Sequence, residues 1–122
     1  MLAAYGVELG LDHETALKLG SALGGGVGRM GETCGTITGA LMVIGLKHGA
    51  SKADDDAKLV TYGRSKEFIR LFKGRNSSIV CRELIGFDIG SRNELTTDDW
   101  VIISRQCPKY LADAAEILEE VL

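Results

Sequence analysis

Apolar residues along this chain recur mostly at intervals of three and four rather than in alternation, a pattern that predicts helices rather than strands. Met1 to Glu8 carries Leu2, Ala3 and Val7 with no cap ahead of them and reads as a helix cut short at its amino end. Asp12 then reads as an N-cap, with Thr15 at the third helical position and Ala16, Leu17, Leu19 and Leu23 behind it, which predicts a helix to about Leu23. Gly24 to Gly31 is too rich in glycine to hold a helix, because each glycine costs up to about 1 kcal/mol against alanine, and is expected to be a loop. Thr33 reads as the cap of a helix from Cys34 to about Lys47. Its Leu41, Val43, Ile44 and Leu46 lie nearly all round, as in a buried central helix. Gly35 and Gly39 lie one turn apart and, with Ala40, leave a smooth face that a neighbour can approach.

After His48-Gly49, Ser51 begins a long amphipathic helix with Asp54, Asp55 and Asp56 in its first turns, a placement that suits the positive end of the helix dipole. Leu59, Tyr62, Phe68, Ile69 and Phe72 supply its expected apolar stripe, and Lys73-Gly74 its close. Ser77 or Ser78 caps a short helix carrying Cys81, Leu84 and Ile85 and stopped by Gly86; a loop with Asp88, Gly90 and Asn93 follows. Thr96 or Thr97 caps a segment that leads to Cys107-Pro108, where proline fits the first position of a last helix bearing Leu111, Ala114, Ala115, Leu118 and Val121. The sum is an all-α fold: one domain over residues 1–122, a compact bundle of about five to six helices around a buried central one.

Composition narrows the function. A chain of 122 residues that is 45% hydrophobic and 25% charged folds around one core. A net charge of −3 gives no basic face for DNA or RNA, which excludes the nucleic-acid binders. The longest apolar run, Ile37 to Leu46, is interrupted by Gly39 and Gly45 and is about half of the roughly 20 residues that a membrane span needs. No charged and then apolar leader opens the chain, so a cytoplasmic protein is expected. The three cysteines are then reduced by default, and their odd number argues against a disulfide framework.

Cys34, Cys81 and Cys107 all fall at predicted helix starts, where unpaired amides and the dipole favour a thiolate, which is both the nucleophile and the metal ligand. Free cysteine is equally a small buried hydrophobe, and neither CxxC nor CxxCH occurs. The stretch Leu23 to Gly49, with Gly-Glu-Thr-Cys-Gly-Thr-Ile-Thr-Gly-Ala followed by Leu-Met-Val-Ile-Gly-Leu-Lys-His-Gly, resembles the C_GCAxxG_C_C family of redox-active proteins. Cys34-Gly35-Thr36-Ile37-Thr38-Gly39 matches its central Cys-Gly-Ala-x-x-Gly motif with threonine for alanine, and Cys81 and Cys107 fall where the family has later cysteines. The family's first cysteine, in its opening helix, has no counterpart, as though part of that helix were lacking. The resemblance implies a small helical protein with redox or metal-binding activity.

On this basis Cys34, Cys81 and Cys107 are the expected catalytic and metal-ligating residues, and zinc or an iron–sulfur centre is the expected cofactor. The expected partners are a second copy of the chain and a redox partner protein. The alternative is a helical oligomerisation protein with inert, packed thiols. An enzyme with Cys34 as nucleophile lacks an evident general base. Gly26-Val27-Gly28-Arg29-Met30-Gly31 satisfies GxGxxG, but a helix rather than a strand precedes it. It therefore reads as a joint, with Arg29 able to help hold an anion. His48 lies about 14 helical residues, roughly 20 Å, from Cys34, too far to share a metal, and His13 reads as solvated.

Overall fold

The computed structural model describes every residue, Met1–Leu122, and contains six α-helices and no strand. They are α1 (Leu2–Tyr5), α2 (His13–Gly20), α3 (Gly35–His48), α4 (Asp55–Asn76), α5 (Cys81–Ile85) and α6 (Thr97–Val121). The all-α expectation holds. Helices α3, α4 and α6 pack pairwise on one another, and α1 lies against α2 and α3. Ile37, Val43, Ile44, Phe68, Phe72, Ile117 and Leu118 are fully buried between them. Removing each such side chain from water contributes about 1.5–3 kcal/mol. The Phe68 and Phe72 rings stack with centroids 6.4 Å apart, and Tyr110 of α6 tilts against Phe72 at 6.3 Å.

Several boundaries differ from those the sequence predicts, each for a local reason. Helix α2 stops at Gly20 and buries only Ala16; Leu17 and Leu19 stay exposed. The residue at the N-cap of α3 is Cys34, not Thr33, and the helix keeps an exposed flank at Met42 and Leu46. The cap of α4 is Asp54, whose carboxylate accepts from the Ala57 N–H at 3.0 Å and so outcompetes Ser51. The first turns of α4 have no cover: Leu59 is 69% and Tyr62 54% exposed, so the buried stripe begins only at Phe68.

Helix α6 departs most. Thr96 and Asp99 form a capping box: the Thr96 hydroxyl accepts from the Asp99 N–H at 3.1 Å and the Asp99 carboxylate from the Thr96 N–H at 3.0 Å. The helix therefore starts there and runs on through Pro108 as one element. Proline removes one amide donor, but it lies on the exposed side, where the carbonyl it leaves behind can bind water. The far end of α6 is tied down by the Arg64 guanidinium on the Val121 carbonyl at 2.8 Å and the Tyr5 hydroxyl on Glu119 at 2.9 Å. No helix is long and apolar enough to cross a membrane.

Candidate functional site

The site begins with a contact far too short to be called a sheet. Thr33 and Val80 form an isolated antiparallel bridge, in which the Cys34 N–H donates to the Ile79 carbonyl at 2.8 Å and the Cys81 N–H to the Glu32 carbonyl at 2.6 Å. Cys34 and Cys81 each follow a bridge residue directly, so the bridge brings the two segments that carry them side by side. The Arg82 N–H extends the contact to the Gly31 carbonyl at 3.1 Å, and its guanidinium pairs with Glu32 at 3.1 Å.

The chain reaches the bridge through a loop of unusual hand. Gly25, Gly26, Val27, Gly28 and Arg29 all have positive φ, between 59° and 75°, so the loop makes a left-handed turn. Glycine adopts this freely, whereas a β-branched residue such as Val27 is strained in it. Gly26 is required for space as well: a Cβ there would lie 2.6 Å from the Cys81 Cβ and 2.6 Å from the Glu32 nitrogen. The two glycines of the Cys-Gly-x-x-x-Gly motif serve close approach in the same way. A Cβ on Gly35 would meet the Leu23 carbonyl oxygen at 2.6 Å, and one on Gly39 the Met1 side chain at 3.1 Å. The smooth face expected on α3 is therefore covered by the chain's own loop and amino end.

Cys107 comes to the same place from mid-α6. It packs with Ile103 against a small cluster made of Cys81, Ile85 and Ile89, while Cys34 packs on the edge of the main core. All three cysteines are free, and all three line one cleft of about 590 Å³ between the glycine loop, the start of α3, α5 and α6. Arg29 and Trp100 also line it, the guanidinium 5.6 Å from the indole centroid, as does Tyr110, whose hydroxyl donates to the Leu84 carbonyl at 2.6 Å.

The shared character expected of the three thiols is absent. Only Cys34 caps a long helix, the fourteen-residue α3. Cys81 opens a helix of five residues whose first amides already bond the loop carbonyls, and Cys107 lies inside α6 rather than at a helix start. Burial, followed by the nearby Cys34, Cys107 and Asp88, pushes the Cys81 thiol up to about 11. Burial and then Cys34 also push the Cys107 thiol up. For these two, desolvation outweighs any stabilisation of a thiolate by the backbone.

No group of three or more His, Cys, Asp or Glu side chains is assembled so as to hold a metal ion. Zinc and iron–sulfur centres need three or four ligands converging on one point, and no such group is assembled, so the residues as placed do not fit a resident metal. His48 instead faces the Leu122 carbonyl at 3.2 Å, and His13 is exposed. Trp100 and Tyr110 were not singled out by the sequence. Tyr110 follows Cys107 by three residues on one helix, a spacing that could have marked it as sharing the same face.

A family model described as "Putative redox-active protein (C_GCAxxG_C_C)" matches residues 1–121 of the chain. No match was found among curated proteins or solved structures.

Proposed function

The chain belongs to the C_GCAxxG_C_C family, and from that membership we propose that it works by reversible thiol–disulfide exchange at Cys34, Cys81 and Cys107. The observation that supports this reading is that three thiols from separate parts of the chain line a single cleft.

Cys34, partly exposed and at the cap of a long helix, is the attacking group. Its sulfur displaces one thiolate from an incoming disulfide and forms a mixed disulfide. Cys81 then displaces the second thiolate from the Cys34 sulfur and closes an internal disulfide. The two protons lost by the cysteines pass to the departing thiolates, and the incoming disulfide takes up two electrons. The mixed disulfide at Cys34 also removes one of the negative charges that oppose ionisation of Cys81, so the first step eases the second. Closing the bond requires the two Cα atoms to come within the span of about 4.4–6.8 Å that a disulfide allows. Cys107 can exchange with this bond, forming a new internal disulfide with one of its sulfurs and releasing the other as a thiolate; the dithiol of a redox partner protein then returns the chain to its thiol form and is itself oxidised to a disulfide. The cytoplasm, a reducing compartment, suits thiols that must return to the reduced form.

Thiol titration and peptide mapping before and after mild oxidation test this. Reversible loss of two thiols per chain, mapped to Cys34–Cys81, is expected, and Cys34→Ser abolishes it. Three thiols that stay free under oxidant overturn the reading. They would favour instead a helical self-association module, for which the exposed Leu59, Val60 and Tyr62 on α4 supply an apolar patch.

A further inference from the structure

The cleft that holds the thiols is lined by 22 residues, and Arg29 is the only charged side chain among them. That is a selective arrangement in a chain with 17 acidic and 14 basic residues and a net charge of −3. Arg29 makes no ion pair with any carboxylate of the protein; its guanidinium rests on Trp100, 5.6 Å from the ring centroid. It is held there at φ 63°, a left-handed conformation uncommon for a residue with a side chain, of the kind that concentrates at functional sites.

The backbone beside it has the same polarity. The N–H groups of Val27 to Glu32 all donate to carbonyls within the loop, but those of Gly24, Gly25 and Gly26 make no hydrogen bond in the protein. All three glycines line the cleft, and Gly26 is buried. A buried amide without a partner is rare, and a run of free amides next to an unpaired guanidinium is an anion acceptor. At about 590 Å³ the cleft has the volume of a small-molecule site rather than of a surface for a folded protein.

We propose that the cleft binds a low-molecular-weight disulfide that carries a carboxylate, with the carboxylate on Arg29 and the Gly24–Gly26 amides and the disulfide directed at Cys34. The proposal rests on the thiol–disulfide reading above and specifies its oxidant. The bound R–S–S–R receives the Cys34 thiolate and releases one RS⁻. Cys81 displaces the other, and both leave as carboxylate-bearing thiols that carry the two cysteine protons.

Rates of thiol consumption with three probes test it: dithiodipropionate, a dianion; bis(2-hydroxyethyl) disulfide, neutral; and cystamine, a dication. Each rate is divided by that of the same probe with a simple free thiol in the same buffer. The chain's negative net charge on its own favours the dication, so a preference for the dianion reports the local site. The dianion is expected to react about tenfold faster than the neutral probe, the size of effect one charge-assisted contact supplies, and the advantage falls with added salt. Arg29→Gln, which keeps a non-glycine residue at the left-handed position, lowers the dianion's rate more than that of the neutral probe and so removes the advantage, and Arg29→Lys restores part of it. Equal normalised rates for all three probes, or an Arg29→Gln effect of the same size on each, overturn the choice of ligand while leaving the exchange chemistry standing. Failure of every probe to generate an internal disulfide sinks both.

Discussion

Gly26 carries two demands at once, a positive φ and the absence of a Cβ, because the Cys81 side chain stands where that atom would go. Gly26→Ala is therefore expected to destabilise the fold by more than about 2 kcal/mol, read as a fall in the denaturation midpoint, and to change the reactivity of Cys81 with it. Cys81 itself should be slow toward alkylating agents at neutral pH, its rate rising roughly tenfold per pH unit until it levels near pH 11, because only the thiolate reacts. The linkage runs the same way. Its folded pKa lies above the ordinary value of 9.0, so the stability from keeping it protonated is complete below about pH 9 and is lost as pH rises through 11. An alkylation profile with its midpoint near 9 would contradict the burial that sets this value.

At the scale of elements, α6 shows which sequence signals outrank others. Cys107-Pro108 reads as a helix start, and the proline would serve well there, yet the Thr96–Asp99 capping box ten residues upstream begins the helix first and the proline is carried along inside it. Pro108→Ala is expected to raise the thermal midpoint, by up to about 3 kcal/mol of stability, with thiol reactivity kept. A proline that truly opened the helix would give no such gain. The helix types, the glycine loop and the caps at Asp12 and Thr96 were legible because they are local, whereas the caps of α3, α4 and α5 fall on Cys34, Asp54 and Val80 rather than on the hydroxyl residues the sequence suggested. The bridge between Thr33 and Val80 was not, since a two-residue contact between segments 47 positions apart leaves no periodicity to read. Nor was the exposure of Leu59 and Tyr62, whose helical spacing is that of a buried stripe but whose turns of α4 extend beyond anything that could cover them.

For the whole molecule, the bundle is joined along one seam by polar contacts as well as by its core. Asp113 on α6 receives Lys109 at 2.8 Å, Asn76 at 3.1 Å and Arg75 at 3.3 Å. Those partners, Lys109 foremost, hold its carboxyl below the ordinary carboxylate range. The stability this supplies is present above the unfolded carboxylate pKa and fades as pH falls through the lower folded value. Asp113→Asn should flatten the acid limb of a stability–pH curve and leave the alkaline limb alone; an unchanged acid limb would show that the seam contributes nothing. The candidate site was legible in part for a related reason. The sequence marks Cys34, Cys81 and Cys107, but their opposite fates, one at a long helix's cap and two drawn into hydrocarbon, depend on packing that only the assembled bundle defines.

Trp100 is the sole tryptophan of the chain, and the fold sets it at the mouth of the cleft under the Arg29 guanidinium. Its emission therefore comes from a single, chemically informative position. Trp100 lines the cleft that holds the thiols, so a stopped-flow trace recorded without any label should change in intensity as the cysteines couple and return when a reductant is added. A chain oxidised at its thiols with unaltered emission would show that coupling them leaves the surroundings of the indole unchanged.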